Sequence, residues 1–379
     1  MLLKNLYQFS LGILVWWLVG FGFSSSKVEG EFIGKANFGG ENWDGTLNYL
    51  NAALFGLIGM IVVLSVNNLL LERLQFYMYL VTSGLIMGFI YPVIAAWTWG
   101  NGWLSASQYP ILDYGGAGTV HILSGAMGLV GCLIAGPRPG RDKAFLREFH
   151  AASYSLVVAG YCLFIVGLIF LNAVQAPDLL QAGNALFNSM LGGGVCALTV
   201  YLLAPFLNRQ ASLGIDTGLQ GFLAGVIALS SVGQRTEGWD AVCIGWFVGL
   251  FVAFAIRFLL EINVDDPANH VSTQLVGGFV GLILVGVFDN EEGIFHNSDG
   301  KQLGYQVLGA VVILAWGAVW GLLIFGLAHA MRVLRISGQL DKTPMMRWGL
   351  SLAGYNDKEY ASGLQHEETK KPRISESSN

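Results

Sequence analysis

DYGGAGTVHILSGAMGLVG, residues 113–131, puts an acid and a histidine at the head of a glycine-backed apolar run long enough to lie in lipid. The chain says this twice, because a second copy, DPANHVSTQLVGGFVG, begins at Asp266. Counted from each aspartate, the eighth following position is His121 or Gln274, the twelfth Gly125 or Gly278, and the fifteenth Gly128 or Gly281. Two polar side chains are thus carried on two matching helices. Repeats of this kind in polytopic membrane proteins place the substrate path at their interface, near the bilayer midplane.

Composition sets the solvent. Of the 379 residues, 54% are hydrophobic and 12% charged, with a mean hydropathy of +0.57. Such a chain is an integral membrane protein rather than a soluble domain. The 51 glycines suit closely packed helices, since small residues let backbones approach where lipid supplies no hydrophobic drive. Cys132, Cys162, Cys196 and Cys243 all fall in apolar segments, so neither a disulfide nor a metal site is expected. No cofactor motif is present, and no basic patch suggests nucleic acid. The net charge of −5 comes mainly from loops and the tail and says nothing of partners.

Apolar runs able to cross about 30 Å of hydrocarbon lie near 6–23, 49–71, 76–97, 117–136, 151–173, 183–204, 214–232, 240–261, 271–288 and 305–331. An all-α polytopic protein with ten transmembrane helices is expected. Basic residues gather in alternate loops: Arg73, then Arg138, Arg141, Lys143 and Arg147, then Arg209, and Arg332 and Arg335 after the last run. Short cytoplasmic loops hold the Lys/Arg excess. Both termini are therefore placed in the cytoplasm. Lys4, an apolar run and Ser24–Ser26 also fit a cleaved signal peptide, but Trp16, Trp17 and the charge pattern favour retention. Residues 1–337 read as one transmembrane domain, and 338–379 as a cytoplasmic tail, too charged and serine-rich to stay ordered towards its end.

The polar residues each carry a plain reading and a functional one. His121 could simply bond a neighbouring carbonyl within a helix bundle, or line a cavity. The match with Gln274 favours a shared polar lining. Asp113 and Asp266 sit where a carboxylate caps free N–H groups. Trp97, Trp99, Trp103 and Tyr109 mark an aromatic external segment, as interfacial anchors or as ring faces for a cation.

WTWGNGW at 97–103, residues 113–131, AGPRPGR at 135–141, VDDPANHVSTQLVGGFVG at 264–281, LER at 71–73 and LRIS at 334–337 together make the chain resemble one superfamily. It is that of ammonium transporters, methylammonium permeases and Rhesus proteins, in its plant and invertebrate ammonium transporter branch. The similarity runs from the start to about residue 356. The resemblance implies an inverted repeat of five-helix halves, a narrow pore in each protomer, and a homotrimer or a heterotrimer with related subunits. It implies ammonium or ammonia as substrate, carried across the plasma membrane. By the same resemblance Trp99 is the vestibule tryptophan, Asp113 the acid that supports recruitment, His121 the first pore histidine, and Asn172 the asparagine of a Phe-Asn element.

Departures from the family pattern accompany this match. The second pore histidine is Gln274, which bonds but does not titrate near neutral pH. The two gate phenylalanines match Ile58 and Leu171, and a vestibule serine matches Gln175. The chain starts at what matches the second family helix, KNLYQFSLGILVWWLVGFGF, and the pattern after LRIS is blurred into MMRWGLSLAGYN. The expectation is ammonium transport, with a non-conducting sensor or modulatory subunit as the alternative. Nothing in the loops resembles a nucleophile–base pair, so the chain is not read as an enzyme.

Overall fold

The computed structural model describes residues 2–25, 32–41, 43, 46–105, 110–138, 153–207, 215–267, 269–296 and 300–336. Most of the loop 137–149, the tail 338–379, Tyr109, Arg141, Lys143, Arg147 and Arg209 lie outside the described residues. With no water in hydrocarbon to satisfy backbone groups, the apolar runs close their hydrogen bonds internally as helices. In chain order these are α1 (Leu3–Ser25), α2 (Thr46–Leu69), α3 (Phe76–Thr98), α4 (Ala117–Ala135) and α5 (Tyr154–Val174). They continue as α6 (Leu179–Leu207), α7 (Ile215–Leu229), α8 (Gly238–Glu261), α9 (Val271–Phe288) and α10 (Lys301–Ala330).

Among the described residues nine of these are long and apolar enough to span. The run expected to span at 214–232 is shorter than that. Its helix α7 has 15 residues, about 22 Å at 1.5 Å per residue, and is prolonged by turns in which Ser230 N–H donates to the Ile227 carbonyl (3.2 Å) and Val232 N–H to that of Leu229 (3.3 Å). Trp97, read from sequence as part of an external segment, is instead inside α3 and buried, its indole N–H donating to the Phe32 carbonyl at 2.9 Å.

The repeated glycines explain the architecture. A Cβ on Gly125 of α4 would lie 2.6 Å from the backbone nitrogen of Leu275, and one on Gly278 of α9 would lie 2.6 Å from the Ala117 carbonyl oxygen. Each helix therefore takes the head of the other against its own glycine. The next repeated pair extends the relation. Gly128 packs on Leu69 of α2, and a Cβ on Gly281 would fall 2.4 Å from Cα of Ala228 in α7. So α4 corresponds to α9 and α2 to α7, an offset of five helices. Both α4 and α9 open with a wide π-type turn, Ala117–Ile122 and Val271–Val276. Such turns mark functional places in helices.

One end of the bundle collects the basic motifs. Arg138 grips Asp265 through Nε (2.8 Å to Oδ2) and Nη2 (3.1 Å to Oδ1), and reaches Glu72 through Nη1 at 2.9 Å. Arg73 donates to the carbonyls of Gly136 (3.0 Å) and Asp265 (2.9 Å), and Arg335 to that of Ala135 (2.7 Å). Residues 71–73, 135–138, 264–267 and 334–336, scattered in sequence, are thus one lock at the basic end of the bundle.

Candidate functional site

At the crossing of α4 and α9, His121 and Gln274 meet. His121 Nδ1 is hydrogen-bonded to Gln274 Oε1, with both side chains buried. An amide oxygen only accepts, so the ring nitrogen facing it carries the proton and Nε2 of a neutral imidazole keeps its lone pair. The Gln274 amide nitrogen is buried without a hydrogen-bond partner. The pair therefore offers one acceptor and one donor to whatever lies beside it.

Above the crossing, Asp113 does what its place at a helix head suggested. Its Oδ2 accepts from the N–H of Gly118 (3.1 Å) and Thr119 (2.8 Å) and from the Thr119 hydroxyl (2.8 Å). Asp266 does the same for α9, taking the N–H groups of His270 (2.9 Å) and Val271 (2.6 Å). Asp113 is buried and its Oδ1 has no partner. Burial pushes its carboxyl above the ordinary range, and the bonds from Thr119 and Gly118 pull against that. Thr98 extends the group through a hydroxyl bond with Thr119 at 2.9 Å. Neither threonine was singled out from sequence, where a hydroxyl in an apolar run carries no signal of its own.

Trp99 ends α3 beside this carboxylate. Its indole N–H donates to the backbone carbonyl of Asp113 at 2.7 Å, which fixes the ring. Phe55 lies against it, centroids 5.5 Å apart and planes 32° from parallel. Gly116, at φ +97°, holds the turn beneath, and a Cβ there would reach 3.3 Å from the ring. The positive φ and the close ring both call for glycine. Nearby, Arg235 touches the Tyr114 hydroxyl (2.6 Å) and Asp289 (3.1 Å) and is also paired with Glu291.

Asn172 makes no hydrogen bond with the His121–Gln274 pair. Its amide donates to the Ser189 hydroxyl (2.9 Å) and the Val226 carbonyl (3.0 Å), tying α5 to α6 and α7. Its Oδ1 is buried and unpartnered, 3.2 Å from where a Cβ on Gly115 would stand. It thus lies against the turn after Asp113 at Gly115, as Trp99 does at Gly116. Ile58 is fully buried in the apolar cluster that Phe55, Trp99 and Leu171 pack against. Ile58, Leu171 and Trp99 therefore share one apolar body.

Comparison with known proteins decides the family. Residues 1–350 match the Ammonium Transporter Family. The chain belongs to that family. It is 29% identical to a putative ammonium transporter 1 member 5 of Arabidopsis thaliana, over 93% of this chain and 78% of that one. It is equally 29% identical to ammonium transporter Amt1 of Haloferax mediterranei, over 89% and 69%. Among solved structures, Mep2 of Saccharomyces cerevisiae superposes with a TM-score of 0.76 at 25% identity, covering 87% of this chain and 78% of that one. A Sensor Amt Protein gives 0.80 at 22% identity, covering 89% and 86%, a likeness of fold. Members of this family are transporters rather than enzymes.

Proposed function

We propose that the chain carries ammonium or ammonia across the plasma membrane through a narrow pore in each protomer, passing the His121–Gln274 pair. In this reading Trp99 and Asp113 form the outer vestibule, Asn172 braces it, and Ile58 and Leu171 form an apolar gate. Both termini are cytoplasmic, and the protomers assemble as a homotrimer or with related subunits.

One observation carries the reading: a buried imidazole and a buried amide are bonded to each other at a helix crossing, with an acceptor and a donor left over. Ammonia has a lone pair and three N–H groups, so it can satisfy both. Ammonium only donates, and would face the amide N–H₂ without a partner for it. The pair is thus built for the neutral molecule, and entry of the cation requires loss of its proton outside the crossing. Asp113, with a free Oδ1, and Trp99 stand where that loss would occur. Methylammonium uptake into a transporter-deficient cell, normalised to protein at the surface, tests the reading, and absence of uptake with the protein at the surface contradicts it.

A second reading has its own observation. Four pore positions, Ile58, Leu171, Gln175 and Gln274, depart from the family pattern, and Gln274 has no second protonation state within physiological pH. A non-conducting sensor or modulatory subunit fits that. Co-expression with an active family member separates the two, since a modulator alters its flux while adding none of its own.

A further inference from the structure

The polar line at the crossing does not end at Gln274. His270 lies four residues earlier, one turn nearer the basic end, where the Asp266 carboxylate takes its backbone N–H. Positions four apart lie on one helix face. His270 Nδ1 is buried with no hydrogen-bond partner, as is the Gln274 amide nitrogen. At membrane depth an unpaired polar atom costs free energy unless it faces a space that supplies a partner.

His270 as a whole is only partly buried, so it is the rest of the ring, not the closed-off Nδ1, that borders such a space. A cavity of about 390 Å³ lies between α2 and α5 with His270 on its wall. Ile61 and Phe164 line its apolar part, while Ser65, Asn68 and Tyr161 bring polar side chains to it. Water takes roughly 30 Å³ per molecule in the liquid, so the cavity has room for several. Its α2 residues stand in the last turns of that helix, and Tyr161 and Gly160 in the first turns of α5. Both are the helix ends nearer Arg73 and Arg138.

We propose that His270 is a pore residue, which accepts the N–H of ammonia as it leaves the His121–Gln274 pair and passes it into this cavity, the exit of the pore at the basic end. The proposal rests on the conduction reading above. No covalent bond is made or broken in the step: one hydrogen bond to an imidazole lone pair is exchanged for another to water. A histidine here also restores, one turn along, part of the hydrogen-bonding capacity lost with Gln274.

The test is methylammonium uptake per molecule at the surface for the unaltered chain, His270→Leu and His270→Asn. His270→Leu is expected to lower uptake about tenfold, the usual scale for removing one partner from a buried polar contact. His270→Asn keeps an acceptor and is expected to recover most of the loss, which a packing role would not produce. Uptake by His270→Leu equal to that of the unaltered chain overturns the proposal and leaves conduction standing. Absence of uptake by the unaltered chain defeats the conduction reading, and the proposal with it. A second variant guards against misfolding: Gly160→Cys, at a position where a Cβ meets nothing within 4 Å, treated with a membrane-permeant thiol reagent. Uptake should fall after treatment relative to the same variant untreated, and by more than in the unaltered chain given the same treatment, whose exposed Cys162 also reacts. Complete modification by mass with uptake unchanged overturns the assignment of the cavity as the exit.

Discussion

A Cβ on Gly278 would stand 3.0 Å from the Cβ of His121. The imidazole is therefore placed by the absence of a side chain on the facing helix, and the crossing has no slack. Gly278→Ala would also press within 2.6 Å of the Ala117 carbonyl. Overpacking of this kind costs about 1–3 kcal/mol. The variant should unfold several degrees lower in detergent and lose most uptake, and a melting temperature and flux equal to the unaltered chain would refute the tight crossing.

Gln274→His tests whether proton transfer through the crossing needs a second imidazole opposite His121. An amide holds a line of hydrogen bonds yet offers no second protonation state between about pH 5 and 8. The unaltered chain should give little ammonium-induced current under voltage clamp in oocytes, and Gln274→His should raise it. His121→Gln should not. A large current from the unaltered chain that the change leaves alone would rule out that requirement.

Trp99 has its indole N–H committed to the Asp113 carbonyl and its ring against Phe55. Its remaining face is the one proposed for the cation. Trp99→Leu should weaken apparent ammonium affinity by no more than about a hundredfold, since a cation–π contact is worth roughly 2 kcal/mol or a little more. Unchanged concentration dependence would make Trp99 an interfacial anchor.

The Arg138–Asp265 pair joins the segments after α4 and before α9, with the Asp265 side chain wholly buried. Breaking a buried pair from one side costs up to about 3–5 kcal/mol, less here because Arg138 keeps its contact with Glu72. Asp265→Ala should lower thermal stability by that order. A shift within error of zero would show that the basic end is held by the carbonyl contacts of Arg73 and Arg335 and by the Arg138–Glu72 pair.

Orientation is checked by labelling. A cysteine at Ser107 should react with an impermeant reagent on intact cells, and one at Ala144 should not, both positions lying outside the described residues. The reverse pattern would invert the topology.

The helices were legible in the sequence because lipid imposes a one-dimensional rule: a long apolar run must close its own hydrogen bonds. The count of ten differs at α7, whose 15 residues fall short of a full span among the described residues. The Asp113 and Asp266 repeat was legible too, since capping is local and needs only a carboxylate a few residues before free N–H groups. From the same two copies the sequence determined that His121 and Gln274 are equivalent. It had no means of saying that they touch. That contact depends on α4 and α9 crossing at Gly125 and Gly278, a relation over 153 residues.

Tertiary structure alone decided the rest. It bonded Asn172 to Ser189 and Val226, and gathered residues 71–73, 135–138, 264–267 and 334–336 at one end. It also gave His270 a cavity. In sequence, His270 is one more polar residue in a loop before an apolar run, and nothing in its neighbours reveals α2 and α5 on either side. Periodicity and capping are properties of a single segment in its solvent, and so a sequence carries them outright. Which side chain faces which cavity is a property of several segments packed together, fixed by where backbones can approach, and that was settled only when the helices met.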